Sequence, residues 1–136
     1  MELAILAQNM DSLTLAIVEN HKIVRERVAC ILPEQYLKTI HETMHRWEVP
    51  LGELTGVLVV TGPGSFTASR VSTTIANAIA FARSLPIRGI ENPKRLSLKE
   101  LLYSMPIQDP AAFALPTYNR PPNITKPRLA DVGISP

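Results

Sequence analysis

Hydrophobic and polar positions alternate in three short runs along the first thirty residues. Residues 2–7, 12–18 and 22–28 carry apolar side chains at every second position or in unbroken succession, and short polar turns separate them. Such runs predict β-strands, and three consecutive strands joined by tight turns favour antiparallel pairing. The chain is therefore expected to open with a three-stranded meander.

The spacing of apolar residues becomes helical between residues 33 and 50. Four of them recur three or four positions apart, namely Leu37, Ile40, Met44 and Trp47. Residues 57–61 are then apolar at the centre and flanked by glycines, which is typical of a strand buried on both faces. The pattern further predicts a helix over 67–85, a strand over 87–90 and a short helix from a Ser97 cap to Ser104.

This order of elements predicts an α/β fold with helices packed on one sheet. Two parallel strands extend the three antiparallel ones through right-handed crossovers. The same order is found in one ribonuclease-H-like subdomain of the actin-like ATPase superfamily. We expect a domain over residues 1–105 and a proline-rich C-terminal tail over 106–136, with seven of the twelve prolines. Leu115 to Arg120 is expected to lie against the domain, with Tyr118 as its main anchor.

Composition narrows the functional classes. A chain of 136 residues with 46% hydrophobic residues can bury one core, and a net charge of +2 without a large basic cluster does not indicate strong direct binding to nucleic acid. The single cysteine, Cys30, cannot form an internal disulfide. Neither a signal peptide nor an apolar run of about 20 residues is visible, so we expect a cytoplasmic protein without a membrane partner.

A glycine-rich turn joins the fourth predicted strand to the second helix. Gly62, Pro63 and Gly64 allow a sharp turn, and Ser65 or Thr67 can cap the helix. Such a loop can cradle an anion with its backbone N–H groups, or it can be a plain connector. The lysine of a Walker motif is absent, which favours the connector.

The helix over 67–85 carries few charges. Arg70 and Arg83 are the only charged residues in it. A helical projection assigns one stripe to the core, consisting of Val71, Ile75, Ala78, Phe81, Ala82 and Leu85. The opposite face has small and uncharged residues that cost little to desolvate. We therefore predict a protein interface there, formed by Arg70, Thr73, Ala76, Asn77, Ala80 and Ser84.

The turn residues resemble a family signature. The run Gly62-Pro63-Gly64-Ser65-Phe66-Thr67, followed by Arg70, resembles the GPGSFTGxR motif of the bacterial TsaB (YeaZ) family. The similarity extends upstream to about Met1 and downstream through residues 85–90. Residues 115–122 are similar to the P-x-Y-x-R segment that closes family members, whereas the usual second subdomain is missing. Ala68 and Ser72 stand where the family commonly has glycine.

The resemblance implies a non-catalytic partner role. TsaB proteins are relatives of the TsaD enzymes, and they support threonylcarbamoyl-adenosine synthesis on tRNA. Their helix corresponding to 67–85, with the one before it, contacts TsaD or a second TsaB copy. The resemblance thus implies a shortened, cofactor-free scaffold that binds a TsaD-like protein or itself. A TsaE-like ATPase would join through the complex, and tRNA would be contacted only indirectly.

Two enzyme-like alternatives remain open at this point. His41-Glu42-Thr43-Met44-His45 matches the H-E-x-x-H zinc pattern, which would suit a metal-dependent M22-type peptidase, but no third ligand is recognisable. A nucleotide-binding regulator would use the Gly62 loop. It would need the carboxylate that the superfamily carries at the end of its first strand, where this chain has Ala7, Gln8 and Asn9. We therefore predict no catalytic and no metal-binding residues.

Overall fold

The computed structural model describes residues 1–104 and 114–115. Its strands are β1 (Glu2–Leu6), β2 (Leu13–Glu19), β3 (Lys22–Ala29), β4 (Gly56–Gly62) and β5 (Ile87–Glu91). Its helices are α1 (Tyr36–Arg46), α2 (Phe66–Arg83) and α3 (Leu98–Ser104). Each element lies within a few residues of its prediction from hydrophobic spacing.

The five strands form one mixed sheet in the order β3-β2-β1-β4-β5. β1 pairs antiparallel with β2 and β2 with β3, whereas β1 pairs parallel with β4 and β4 with β5. The predicted α/β topology, a meander extended by two parallel strands, is therefore confirmed. Every residue of β4 is buried, as expected for a strand covered on both faces.

Helices cover the sheet unequally. α1 and α2 pack on one face, above a core that includes Leu3, Ile5 and Val59. The short α3 covers part of the other face, where Leu58 and Val60 meet Leu98, Leu101 and Leu102. Alternation along β1 and β4 sends successive side chains to opposite faces, so one pair of strands supplies both cores.

The predicted core stripe of α1 needs one correction. Ile40 and Met44 are buried and Trp47 is half-buried, but the Leu37 side chain is 62% exposed. Its neighbour Tyr36 is fully buried instead. The short 3-10 turn Pro33–Gln35 leads directly into α1, and in the first helical turn position 36 rather than 37 lies against the core.

The orientation predicted for α2 was wrong. Thr73, Ala76 and Ala80, which we predicted at a partner interface, are buried inside the domain together with Ser69 and Ser72. The predicted core residues Ala78, Phe81 and Ala82 are exposed, whereas Val71, Ile75 and Leu85 are half-buried and pack against the edge of the core, as predicted. α2 packs directly on β4, whose branched side chains occupy the space between helix and strand. A close approach of this kind requires small residues on the helix.

Ala114 contacts the domain. Ala114 is buried, while the Leu115 side chain is 71% exposed, so Ala114 is the contact that the structure shows in place of the predicted Leu115. The predicted anchor Tyr118 and the boundary between residues 105 and 106 lie outside the described residues. In the described ranges, none of the helices is both long and apolar enough to cross a bilayer.

Candidate functional site

The carboxyl ends of the parallel strands β1, β4 and β5 lie at one edge of the sheet. In open α/β sheets this edge is where ligands commonly bind. Gln8 follows β1, the Gly62-Pro63-Gly64 turn ends β4, and Asn92 follows β5. The glycine-rich signature therefore lies at the sheet edge where a ligand would be expected to bind.

Two buried amide side chains, those of Gln8 and Asn92, are hydrogen-bonded to each other at this edge. The Gln8 Nε2 donates to the carbonyl oxygens of Pro63, at 2.5 Å, and Asn92, at 2.9 Å. The Gln8 Oε1 accepts a hydrogen bond of 2.8 Å from Asn92 Nδ2. Gln8 is 4% and Asn92 1% exposed. Because one amide supplies both donors and the acceptor, neither a carboxylate nor a hydroxyl can reproduce the arrangement.

Backbone hydrogen bonds reinforce the same contact. The Ser65 N–H donates to the Gln8 carbonyl at 2.7 Å, and the Asn92 N–H donates to the Gly62 carbonyl at 2.7 Å. The side chain of Asn92 also holds its own loop, since Nδ2 donates to the Leu96 carbonyl and Oδ1 accepts from the Leu96 N–H. The three strand ends are thus tied to one another by the protein itself.

The structure explains why glycine occupies both positions of the signature, 62 and 64. Gly62 has φ of 127°, a region that side-chain-bearing residues rarely adopt. A Cβ on Gly64 would overlap the carbonyl oxygen of Gln8 and lie 2.9 Å from the Gln8 Cα. The signature therefore fits a tight contact between the β4–α2 turn and the end of β1.

The first turn of α2 presents the rest of the signature. Ser65 is the N-cap, because its Oγ accepts a hydrogen bond of 3.2 Å from the Ala68 N–H, which leaves Thr67 exposed. The Arg70 guanidinium lies 5.5 Å from the centre of the Phe66 ring, in cation–π contact. Phe66 and Arg70 are both exposed, so this half of the signature faces outward rather than towards the strand ends.

An apolar surface continues along the outside of α2. We name this surface, formed by Phe66, Val71, Ile75, Ala78 and Phe81, the outer α2 surface. The Phe81 side chain is 88% exposed. A shallow groove of 370 Å³ runs beside Phe66 and Val71, and a second of 250 Å³ lies between Ile75, Ala78 and Leu37 of α1. Sequence reasoning missed this surface because it assigned the larger apolar residues to the core.

The remaining predicted interface residues lie at the flank and end of α2. Asn77 Nδ2 donates to the Ala114 carbonyl at 2.8 Å, and the Ala114 N–H donates to Asn77 Oδ1 at 2.7 Å. Asn77 is therefore engaged by the chain itself, contrary to its predicted role. A Cβ on Gly89 would lie 3.2 Å from the Ala114 Cβ, so the contact is close. Ser84 is exposed at the C-cap in a left-handed conformation, with φ of 53°.

The H-E-x-x-H residues lie on α1. His41, Glu42 and His45 are all exposed, on the side of the helix away from the buried Ile40 and Met44. Within residues 1–104 and 114–115, no three histidine, cysteine, aspartate or glutamate side chains come together as a metal site. The described part of the chain therefore lacks the third ligand that a zinc peptidase requires.

Structural comparison defines the class of fold. The chain superposes on YeaZ from Pseudomonas aeruginosa with a TM-score of 0.59 and 18% sequence identity, over 67% of this chain and 43% of that one. The domain therefore has the ribonuclease-H-like fold that the element order predicted.

Sequence comparison shows the family. The family described as TsaD: tRNA N6-adenosine threonylcarbamoyltransferase matches residues 17–116, and the chain belongs to it. The tRNA N6-adenosine threonylcarbamoyltransferase of Geobacter metallireducens is 34% identical over 87 residues, covering 61% of this chain and 26% of that protein. The protein of the same name from Halalkalibacterium halodurans is 33% identical over 79 residues, covering 55% and 23%. The chain thus spans about a quarter of the length of these relatives.

The strand ends themselves offer few groups that could ligate a metal. The three histidines of the sequence, His21, His41 and His45, all precede β5. Ala7, directly after β1, is fully buried and has no ligating atom in its side chain.

Proposed function

We propose that this chain is a non-catalytic partner subunit in the synthesis of N6-threonylcarbamoyladenosine on tRNA. It binds a TsaD-like enzyme through the outer α2 surface, and contacts tRNA only through that enzyme. A TsaE-like ATPase would join by way of the same complex. The observation that carries the proposal is the exposed apolar face of α2, which begins at the family signature.

The strand-end loops support the non-catalytic part of the proposal. The amide groups of Gln8 and Asn92 occupy each other and the neighbouring carbonyls, so they have little capacity left for a phosphate or a metal ion. Ala7 offers no general base and no metal ligand. These features favour a scaffold over both a peptidase and a nucleotide-binding regulator.

The composition of the outer α2 surface supports the partner-binding part. Two exposed aromatic rings, Phe66 and Phe81, flank a stretch of small and branched apolar residues. Aromatic residues and arginine are enriched at protein interfaces, whereas lysine and glutamate are depleted. Arg70 and Arg83 are the only charged residues of α2. Exposed apolar residues that continue from α2 to Leu37 of α1 are typical of an interaction site.

Binding to the TsaD-like protein of the same organism tests the proposal. Ala78→Glu places a charge at the centre of the outer α2 surface, where Ala78 is exposed and the fold should tolerate it. We expect the affinity to fall at least about tenfold, equivalent to about 1.4 kcal/mol. Val28→Glu is the matched control, since Val28 is also an exposed apolar residue but lies on β3, at the far edge of the sheet.

Two results would contradict the proposal. Equal binding by wild type and Ala78→Glu would place the contact elsewhere. Absence of any complex with wild type would reject the partner role itself. Sedimentation of the chain alone distinguishes a second copy from the TsaD-like protein as the occupant, because only self-association changes the mass without added enzyme.

A further inference from the structure

Helix α1 carries two histidines that the proposed function does not use. His41 and His45 lie within the continuous helix Tyr36–Arg46 and are both exposed. Across residues 1–104 and 114–115, neither imidazole has a hydrogen-bond or ion-pair partner. Their ring nitrogens are therefore open to an external ligand.

The spacing brings the two rings to one side of the helix. Residues four apart on an α-helix have Cβ atoms about 5–6 Å from each other and project side by side. Nitrogen ligands lie about 2.0–2.1 Å from a zinc ion, so two of them in a tetrahedral shell are roughly 3.3 Å apart. Rotation about the side-chain bonds of His41 and His45 can bring one nitrogen of each ring to this separation without moving the backbone.

We propose that His41 and His45 form a two-histidine binding site for a divalent transition-metal ion on the exposed face of α1. Imidazole nitrogen is a preferred ligand for Zn²⁺, Ni²⁺ and Cu²⁺, and the helix holds the pair in register before the ion arrives. The described residues offer no third ligand, so water completes the coordination shell. The proposed site departs from the sequence-based expectation of no metal-binding residues, but it binds an exchangeable ion and is distinct from a catalytic zinc centre.

The neighbouring charges act on a bound cation in both directions, since Lys38 and Arg46 repel it and Glu42 attracts it. Lys38 precedes His41 by three residues and its ammonium repels a cation, whereas the carboxylate of Glu42 attracts one. Glu42 is adjacent to His41 in sequence and is rotated by about 100° around the helix, so it contributes charge more readily than a bond to the ion. The two effects oppose each other.

Titration of the full chain with Zn²⁺ or Ni²⁺ alone, followed by calorimetry, tests the site. We expect one ion per wild-type chain. His41→Ala and His45→Ala should each weaken binding at least about tenfold, because a single imidazole remains. His21→Ala is the matched control, since His21 is an exposed histidine in the β2–β3 turn, away from α1.

A rearranged variant separates spacing from composition. Glu42→His/His45→Glu keeps two histidines and one glutamate on α1 but makes the histidines adjacent, so they no longer share a side of the helix. We expect it to bind as weakly as the single variants, with an unchanged circular dichroism spectrum. Equal binding by this variant and the wild type would overturn the proposal. So would a loss in His21→Ala as large as in His41→Ala.

Discussion

In a simple amphipathic helix the larger apolar residues face the core, but in α2 they face solvent. The face against the sheet consists of small residues, several with hydroxyl groups, such as Ser69, Thr73 and Ala76. The face towards solvent carries larger apolar residues, including Phe66 and Phe81. A prediction based only on the size of the apolar side chains would place the larger residues in the core and the small residues at the surface.

The branched side chains of β4 account for the difference. β4 is buried along its whole length and is rich in valine, so its side chains already occupy much of the space beneath α2. A helix that packs closely on such a strand must have small residues there, and the close packing compensates for the modest apolar area of each one. The larger apolar residues remain outside, where they form the outer α2 surface to which we assign partner binding.

The largest expected effect comes from placing the same charge on each face. Ala76 is fully buried and Ala78 is exposed, although they are two residues apart. Ala76→Glu should cost at least about 3–5 kcal/mol, because the carboxylate is left buried and unpaired. Ala78→Glu should change the free energy of unfolding by less than about 0.5 kcal/mol. Urea unfolding of both variants measures the difference. Similar losses in the two would mean that α2 has a different rotation.

The second effect concerns the buried phenol of Tyr36. Burial, with a smaller contribution from the Asp11 carboxylate, raises the pKa of Tyr36 from 10.0 to about 12. The fold therefore favours the protonated form. The corresponding stability is fully present below about pH 10 and is lost as the pH rises towards 12, by about 3 kcal/mol in total.

Tyr36→Phe measures that contribution directly. Phenylalanine keeps the ring and removes the ionising group, so the variant should lose less unfolding free energy than wild type between about pH 9.5 and 11.5. Other groups titrate equally in both proteins and cancel in the comparison. Near neutral pH the tyrosine is uncharged in the folded and unfolded states, so the difference in unfolding free energy between the two proteins should no longer change with pH. Parallel curves up to the highest pH would show that the phenol is hydrated in the fold.

The smallest effect sharpens the view of the buried face. Among residues 1–104 and 114–115, the hydroxyls of Ser69 and Thr73 have no hydrogen-bond partner, whereas the Ser72 hydroxyl donates to the Ser69 carbonyl at 3.2 Å. Ser69→Ala removes an unsatisfied polar group and improves helix propensity, so we expect a gain of about 0.5–1 kcal/mol. Ser72→Ala is the matched control and should gain less, since it also loses a bond. Thermal unfolding ranks them, and the reverse ranking would indicate that Ser69 has a partner such as a bound water.

Hydrophobic spacing was sufficient to predict the fold because it reports local geometry. Alternation at residues 2–7 and helical recurrence from Ile40 to Met44 each depend on neighbours within one element. The buried β4 followed from its unbroken apolar centre. The Ser65 cap was one of two residues predicted from composition at a helix start. The structure confirms each of these.

The rotation of α2 and the contacts at the strand ends depended on distant residues. Whether Ala76 or Phe81 faces the sheet is decided by the size of β4 side chains, which a helical projection of α2 does not include. Gln8 and Asn92 are 84 positions apart, and neither belongs to a periodic pattern. Their pairing becomes visible only when β1 and β5 are placed on either side of β4.

The central position of β1 has a consequence for the order in which the protein folds. β1 pairs on one side with β2, directly after it in the chain, and on the other with β4, where Glu2 pairs with Gly56. The hairpins of β1, β2 and β3 close short loops, whereas the parallel pairing must first overcome the entropy of a much longer one. During synthesis, this edge of β1 has no pairing strand until β4 has left the ribosome. β1 thus gains its second neighbour only after β4 has been synthesised, and until then its open edge can pair with another chain.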